Sequence, residues 1–132
     1  MLKIVLLMLA GGTGTVARYF LSSAVQRLTT SPFPWGTLGV NVLGSLVFGA
    51  IWAVTETRID LSDQLRLLLL VGFMGGFTTF SSFAFETTQL MDNSGWLIAA
   101  GNIALQNALG IAAVLGGIAL GRLLASGIES LA

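Results

Sequence analysis

The sequence predicts an all-α integral membrane protein with four transmembrane helices. Hydrophobic residues make up 55% of the 132-residue chain and charged residues only 9%, and the mean hydropathy is +0.89. Soluble domains carry about 25% charged residues, so a fold of this composition would lack the polar surface that water requires. The six basic and six acidic residues lie mainly between long apolar runs, which is typical of a chain that crosses a bilayer.

The composition also excludes several classes of function. The chain has no cysteine and no histidine, which excludes disulfides, thiolate nucleophiles, zinc sites built from Cys or His, and histidine acid–base catalysis. A formal net charge of zero, without a run of Lys or Arg, argues against binding to nucleic acid. We therefore expect a protein that is not an enzyme and whose surroundings are lipid.

Four apolar segments approach the ~20 residues that cross a bilayer as a helix. They form a single domain over the whole chain and cover residues 4–25, 37–54, 65–85 and 96–124. None alternates over ~10 positions as barrel strands do. The first connector contains Pro32 and Pro34, residues 55–63 carry four charges, and residues 92–95 have the composition of a turn.

The start of the first segment has features of a signal peptide, with Lys3 ahead of an apolar run. The apolar character continues through Phe20 and Leu21 without a small-x-small cleavage site, so we expect a retained helix. With four spans, the basic residues divide into four on one side and two on the other: Lys3, Arg58, Arg66 and Arg122 against Arg18 and Arg27. This positive-inside bias is weak, and insertion in both orientations is expected.

Glycine accounts for 17 residues, and many of them lie inside the apolar segments. Two pairs have the small-xxx-small spacing that lets helix backbones approach closely in a membrane, Gly72 with Gly76 and Gly117 with Gly121. Four closely packed helices leave no pore between them, so a transport pathway is expected to need a second subunit. The alternative is that these glycines only pack helices within one subunit.

The third segment is predicted to be broken in the middle of the membrane. Gly75 and Gly76 are followed by two threonines and two serines, all poor helix formers at that depth. Backbone that leaves the helix inside a membrane must line a cavity or be buried in protein. Its carbonyl oxygens suit a small hard cation, whereas its N–H groups and nearby hydroxyls suit an anion.

Phenylalanines follow the predicted break at intervals of three, at Phe77, Phe80 and Phe83. The edge of a phenyl ring carries positive electrostatic potential, so converging edges can coordinate a small dehydrated anion. The residues themselves leave a second interpretation open, in which these rings simply face lipid.

Neutral polar side chains recur on single faces of two helices: Thr37, Asn41 and Ser45 in the second, and Asn102 and Gln106 with Asn107 in the fourth. They can donate hydrogen bonds to an anion without trapping it, or they can join helices to one another. Arg18, near the end of the first helix, can extend to the interface, pair with an acid, or attract an anion into a vestibule.

Three motifs follow one another along the chain: residues 11–19, residues 34–41, and Gly75-Gly76-Phe77-Thr78-Thr79-Phe80-Ser81-Ser82-Phe83 with Glu86 after it. With these motifs the chain resembles, over essentially its whole length, the small bacterial fluoride channels of the Fluc or CrcB family. The resemblance implies a multi-pass protein of the bacterial inner membrane that exports cytoplasmic fluoride by passive electrodiffusion and thereby gives fluoride resistance.

The resemblance further implies a dual-topology antiparallel homodimer with two fluoride pores and a structural sodium ion at its centre. The matching pore positions are Phe80 and Phe83 as the phenylalanine box, Asn41, and the hydroxyls of Thr79 and Ser81; Arg18 matches a vestibule arginine, and the main-chain carbonyls of Gly75 and Thr78 match the sodium ligands. Thr37 and Ser45 extend a polar track. On helix 4, where the family places serine or threonine, this chain has Gln106, Asn107 and Gly110.

Two other functions are compatible with four spans. A small dual-topology multidrug or cation exporter needs a membrane-embedded carboxylate, and Glu86, near an interface, is the only candidate in the spans. A membrane assembly subunit that transports nothing would leave the polar stripes without ligands. Ion flux from reconstituted vesicles separates these possibilities from a fluoride channel.

Overall fold

The computed structural model describes residues 1–57 and 62–129, and within these ranges every regular element is a helix. Helices α1 to α6 and one π-helix follow in the order α1 Leu2–Gln26, α2 Trp35–Thr57, α3 Asp63–Leu67, the π-helix Leu68–Phe73, α4 Met74–Phe77, α5 Phe80–Ser94 and α6 Trp96–Glu129. Four stretches are long and apolar enough to cross a membrane: Leu2–Gln26, Trp35–Glu56, Asp63–Ser94 and Trp96–Ser126. This confirms an all-helical, multi-pass chain, and each of the four predicted segments lies within one of these stretches.

The turn predicted at residues 92–95 is wrong in its extent. Helix α5 continues to Ser94, and Gly95 alone separates it from α6. Gly95 has φ of +93°, a backbone conformation that glycine adopts without steric cost. Asp92 and Asn93 are exposed, so water can solvate them at the end of a helix. A turn of several residues is therefore not needed. The third span therefore extends beyond its predicted end at Phe85.

The charged connector was predicted over residues 55–63, but α2 continues to Thr57. Residues 58–61, including Arg58, lie outside the described part of the chain. After them, Ser62 caps α3, because its hydroxyl accepts a hydrogen bond from the Leu65 amide at 3.3 Å. The Arg66 guanidinium lies 4.2 Å from the ring centre of Trp52, a cation–π contact that joins the end of α2 to the start of the third span.

The helices pack in two groups that share α2. Helix α2 packs along α6, and α1 packs against the π-helix and α4. Glycines mediate both contacts: a side chain at Gly117 would place its Cβ 2.0 Å from the Leu46 carbonyl of α2, and one at Gly76 would lie 2.3 Å from the Gly11 carbonyl of α1. The predicted glycine pairs thus pack helices within one chain.

The buried core is small. Its central cluster consists of Val40, Met74 and Phe77, with partly buried residues of α1 and the π-helix packed around it. Most large apolar side chains are exposed, and Gly14 is the only buried residue of α1. An apolar exterior over a small interior suits lipid surroundings. The core lies beside the junction of α4 and α5, where the polar residues converge.

Candidate functional site

Two residues of extended backbone separate α4 from α5. Thr78 has φ of −91° and ψ of 159°, and Thr79 has φ of −150° and ψ of 118°. The Thr78 amide closes the last turn of α4 by donating to the Met74 carbonyl at 3.0 Å. The Thr79 hydroxyl begins α5 as its cap, accepting from the Ser82 amide at 3.2 Å. The end of one helix and the start of another therefore meet inside the third span.

The side chain of Asn41, on α2, binds both backbone groups of Thr79. The Asn41 Oδ1 accepts from the Thr79 amide at 2.9 Å, and its Nδ2 donates to the Thr79 carbonyl at 3.1 Å. The same Nδ2 donates to Gln106 Oε1 of α6, also at 3.1 Å. Both amide hydrogens of Asn41 are thus engaged. The Asn41 side chain therefore holds both backbone groups of Thr79 and is itself bonded to Gln106.

This arrangement changes which carbonyls keep free acceptor capacity. In an unbroken helix the Thr79 amide would donate to the Gly75 carbonyl, and the Ser82 amide to the Thr78 carbonyl. Here those two amides donate to Asn41 Oδ1 and to the Thr79 hydroxyl. Gly75 is exposed, and nothing lies within 4 Å of where its Cβ would be. The carbonyl oxygens of Gly75 and Thr78 are therefore released from their helical donors.

Eight of the predicted site residues line one cavity of about 270 Å³: Asn41, Ser45, Thr78, Thr79, Phe80, Phe83, Gln106 and Asn107. The two phenyl rings meet edge to face, with centres 5.5 Å apart and planes at 64°. Phe83 is buried with 9% exposure, whereas Phe80 is 78% exposed. Among the described residues, none that lines this cavity carries a charge. The cavity thus combines ring edges with neutral hydrogen-bonding groups.

The Gln106 side chain is oriented by Asn41. Its Oε1 accepts from Asn41, and its Nε2 is buried without a hydrogen-bond partner among the described residues. By contrast, the Asn107 Nδ2 donates to the Ile103 carbonyl of its own helix at 2.7 Å. An unpaired buried donor costs about 1–3 kcal/mol. Of the Gln106 and Asn107 amides of α6, Gln106 is the one whose nitrogen is buried and makes no hydrogen bond to the described residues.

A second cleft lies next to this cavity and contains Arg18. Its volume is about 280 Å³, and it is lined by residues that include Arg18, Thr37, Thr79, Ser82 and Glu86. A third cleft of about 400 Å³ shares Thr37 and Glu86 with the second and reaches Gln26 and Asn93. Thr79 lines both the Arg18 cleft and the phenylalanine cavity. The three spaces therefore form a row connected by shared residues.

Several polar contacts around the site were not predicted from the sequence. Thr37 donates to Glu86 Oε1 at 2.7 Å, whereas Glu86 Oε2 is buried and has no hydrogen-bond partner in the part of the chain that the structure describes. Asn102 is fully buried and donates to the Thr87 hydroxyl at 2.8 Å. That hydroxyl in turn donates to the Phe83 carbonyl at 2.7 Å. Thr87 follows Phe83 by one helical turn, and this spacing could have identified it from the sequence as a neighbour of Phe83.

Ser81 is not among the residues that line the cavity or the Arg18 cleft. It is exposed, and its hydroxyl is 3.3 Å from the Thr79 hydroxyl. The Thr79 hydroxyl also donates to Ser82 Oγ at 3.1 Å, so Ser82 shares the cap of α5. The structure thus groups the predicted residues into a cavity, an adjoining cleft and a helix start.

The sequence matches the family described as CrcB-like protein, Camphor Resistance (CrcB), over residues 5–118. It is 52% identical over 123 residues to the fluoride-specific ion channel FluC of Nitratidesulfovibrio vulgaris (strain Miyazaki F), covering 93% of this chain and 99% of that one. It is 46% identical over 122 residues to the protein of the same name from Nitrosococcus oceani, covering 92% of this chain and 98% of that one. A third relative of that name, from Desulforapulum autotrophicum, is 47% identical over 122 residues, with the same coverage.

Proposed function

The chain belongs to the CrcB family, whose members are fluoride channels and not enzymes, and from that premise we propose that it lets cytoplasmic fluoride leave the cell by passive electrodiffusion. The observation that carries the proposal is the cavity in which the edges of Phe80 and Phe83 meet neutral polar side chains. We propose that the protein lies in the bacterial inner membrane and that its physiological role is fluoride resistance. Hydrogen fluoride enters the cell as a neutral acid and dissociates in the cytoplasm, where the fluoride anion accumulates. An anion leak driven by the membrane potential lowers this accumulation.

The cavity has the chemistry that fluoride selection requires. Fluoride is small and costly to dehydrate, so a path needs several weak partners rather than one strong charge that would bind and not release it. Ring edges of Phe80 and Phe83 supply positive potential, and their apolar bulk narrows the path. Because both Asn41 hydrogens are engaged, we propose that the Ser45 hydroxyl, Gln106 Nε2 and the second hydrogen of Asn107 Nδ2 donate to the ion.

The path that we propose enters through the Arg18 cleft. There the guanidinium attracts anions to a half-buried site without lying in the narrow part of the path. Thr79 lines both spaces, so its hydroxyl marks the passage from the cleft to the phenylalanine cavity. Thr37 forms part of the cleft wall, and Ser45 and Asn107 line the cavity on the far side of Asn41.

We propose that the functional unit is an antiparallel homodimer with two pores. Phe80 is 78% exposed and Gly75 is open on the surface of the chain, so a second copy is needed to enclose both. The weak four-to-two bias of the basic residues favours dual topology. A tag at one terminus should then be reachable from both sides of the membrane, whereas protection of every copy from one side would contradict dual topology.

We further propose a structural sodium ion at the dimer axis. The Gly75 and Thr78 carbonyls, released from their helical donors, would supply two oxygens from each copy, and neutral oxygens are the ligands that a hard cation prefers. The positive ion would offset the negative ends of the carbonyl dipoles that meet there, and it would hold the two copies together. We propose a structural role for this ion, which would not itself move along the fluoride path.

Reconstituted vesicles test the proposed activity. Vesicles loaded with potassium fluoride and containing the purified protein should release fluoride when valinomycin provides a potassium pathway, as measured with a fluoride electrode. Vesicles loaded with potassium chloride should release far less anion, and vesicles without protein provide the baseline. Fluoride release at the baseline rate, or equal release of chloride, would contradict a fluoride-selective channel.

A further inference from the structure

The extended residues Thr78 and Thr79 depend on a side chain from another helix. Two hydrogen bonds join Asn41 to Thr79, one to the backbone N–H and one to the carbonyl. Because the amide makes both bonds to a single residue, it determines that residue's position and prevents its peptide groups from turning towards α4. Thr79 is buried, so its N–H cannot use water in place of Asn41.

Without Asn41, the nearest alternative acceptor for the Thr79 N–H is given by helical geometry. An α-helical amide donates to the carbonyl four residues earlier, which for Thr79 is Gly75. That bond would extend α4 by one residue and engage the Gly75 oxygen. Asn41 therefore competes directly with Gly75 for the same N–H, and its presence keeps the Gly75 carbonyl available.

Thr79 determines how the Asn41 amide is oriented, and Asn41 in turn orients Gln106. Thr79 presents one donor and one acceptor, which requires Asn41 to place Oδ1 on the N–H and Nδ2 on the carbonyl. The remaining Nδ2 hydrogen then needs an acceptor, and Gln106 supplies Oε1. Gln106 Nε2 is left buried and unpaired by this choice. The orientation of the whole chain of amides is thus determined from Thr79 outwards.

We infer that Asn41, whose remaining amide hydrogen is accepted by Gln106, is the positioning residue of the cation site as well as part of the cavity wall. It holds the Gly75 carbonyl free for sodium, and it joins the phenylalanine cavity to the dimer axis through a single side chain. This inference rests on the sodium site of the proposed function. It adds that affinity for sodium is controlled from α2 and α6, two helices that supply none of the proposed ligands.

The test measures the dependence of the purified dimer on sodium. Thermal unfolding is followed while sodium chloride replaces N-methylglucamine chloride at constant ionic strength, and the sodium concentration that gives half of the stabilisation is determined. For Asn41→Leu, which is close in size but cannot hydrogen-bond, we expect that concentration to rise about tenfold, the effect of losing one hydrogen-bond partner. Gln106→Leu leaves the Asn41–Thr79 bonds in place and should raise it by about threefold.

A matched variant and a second readout make the result specific. Asn107→Leu removes an amide from the same cavity that bonds only within its own helix, so its half-stabilising sodium concentration should equal that of the parent. Equilibrium binding of radioactive sodium to the same samples should show the same order. A residue that merely stabilises the fold would lower the unfolding temperature equally with and without sodium and leave the half-stabilising concentration unchanged.

The outcomes are distinct. An unchanged half-stabilising concentration in Asn41→Leu, with a parent that responds to sodium, overturns the inference and leaves the sodium site standing. A parent that neither binds sodium nor is stabilised by it overturns the site and the inference together. If Asn41→Leu yields no dimer, Gln106→Leu decides: a raised concentration supports the inference, and the parental value overturns it.

Discussion

The third span is held in two different ways before and after its extended residues. Before them, the π-helix and α4 pack backbone to backbone against α1, and a Cβ at Gly14 would lie 2.1 Å from the Phe73 carbonyl. After them, α5 is joined to its neighbours by side-chain hydrogen bonds, from Thr37 to Glu86 and from Asn102 to Thr87. The first half depends on shape, and the second half depends on polar pairing.

This difference indicates where function can reside. Close backbone packing against α1 leaves no cavity on that face of the first half, which serves as a support there. The polar half borders the phenylalanine cavity, and three buried atoms near it have no partner among the described residues: Glu86 Oε2 of α5, and Asn102 Oδ1 and Gln106 Nε2 of α6. Changes at the contact with α1 should therefore mainly lower stability, whereas changes at the cavity should mainly alter flux.

The largest effect is expected for Gly14→Ala. The added methyl group would meet the backbone carbonyl of Phe73, which cannot move aside as a side chain could. Overpacking costs about 1–3 kcal/mol even among side chains, so this variant should lose most of its folded dimer. Gly12→Ala is the control, because nothing lies within 4 Å of its Cβ position. Equal yields and unfolding temperatures for the two would contradict the packing role of the first half.

Asn41→Asp should have the next largest effect, and in this case on flux. The carboxylate would face two acceptors, the Thr79 carbonyl and Gln106 Oε1, and it would place a negative charge on the path of an anion. We expect fluoride efflux to fall at least about a hundredfold, which corresponds to roughly 2.7 kcal/mol in the barrier. Efflux equal to that of the parent, measured with the fluoride electrode, would place the path elsewhere.

A smaller effect is expected for Thr87→Val, which keeps the volume and removes the hydroxyl between Asn102 and the Phe83 carbonyl. It leaves Asn102 Nδ2 buried and unpaired, at a cost of about 1–3 kcal/mol. The neighbouring Thr88→Val removes an exposed hydroxyl and should change stability by less than about 0.5 kcal/mol. Chemical unfolding of both dimers in detergent measures the difference. Similar losses for the two would show that the Asn102 contact contributes nothing.

The four spans could be predicted because lipid imposes a length on each apolar run. The turn at residues 92–95 could not, since exposed Asp92 and Asn93 suit a solvated helix end as well as a loop. The polar stripe with Asn41 followed from helical periodicity. Its backbone partner, Thr79, lies 38 positions away in the sequence, and only tertiary packing brings the two together.

The glycine spacing shows the same division between local and tertiary information. Spacing alone predicted close packing at Gly76 and Gly117, but it did not tell which helix each one contacts. The structure pairs Gly76 with α1 and Gly117 with α2. The edge-to-face contact of Phe80 and Phe83 follows from their spacing of three on one helix, whereas the amide of Gln106 joins the cavity through α6.

The most direct test of a pore in the second half is the double variant Phe80→Ile/Phe83→Ile. It keeps apolar bulk and removes both ring quadrupoles, so fluoride efflux should fall about a hundredfold while dimer yield stays at the parental level. Phe85→Ile, an exposed ring on the same helix that is not among the residues lining the cavity, is the control and should conduct as the parent does. If vesicles with the double variant release fluoride as fast as the parent at equal dimer yield, the rings only pack and the pathway lies elsewhere.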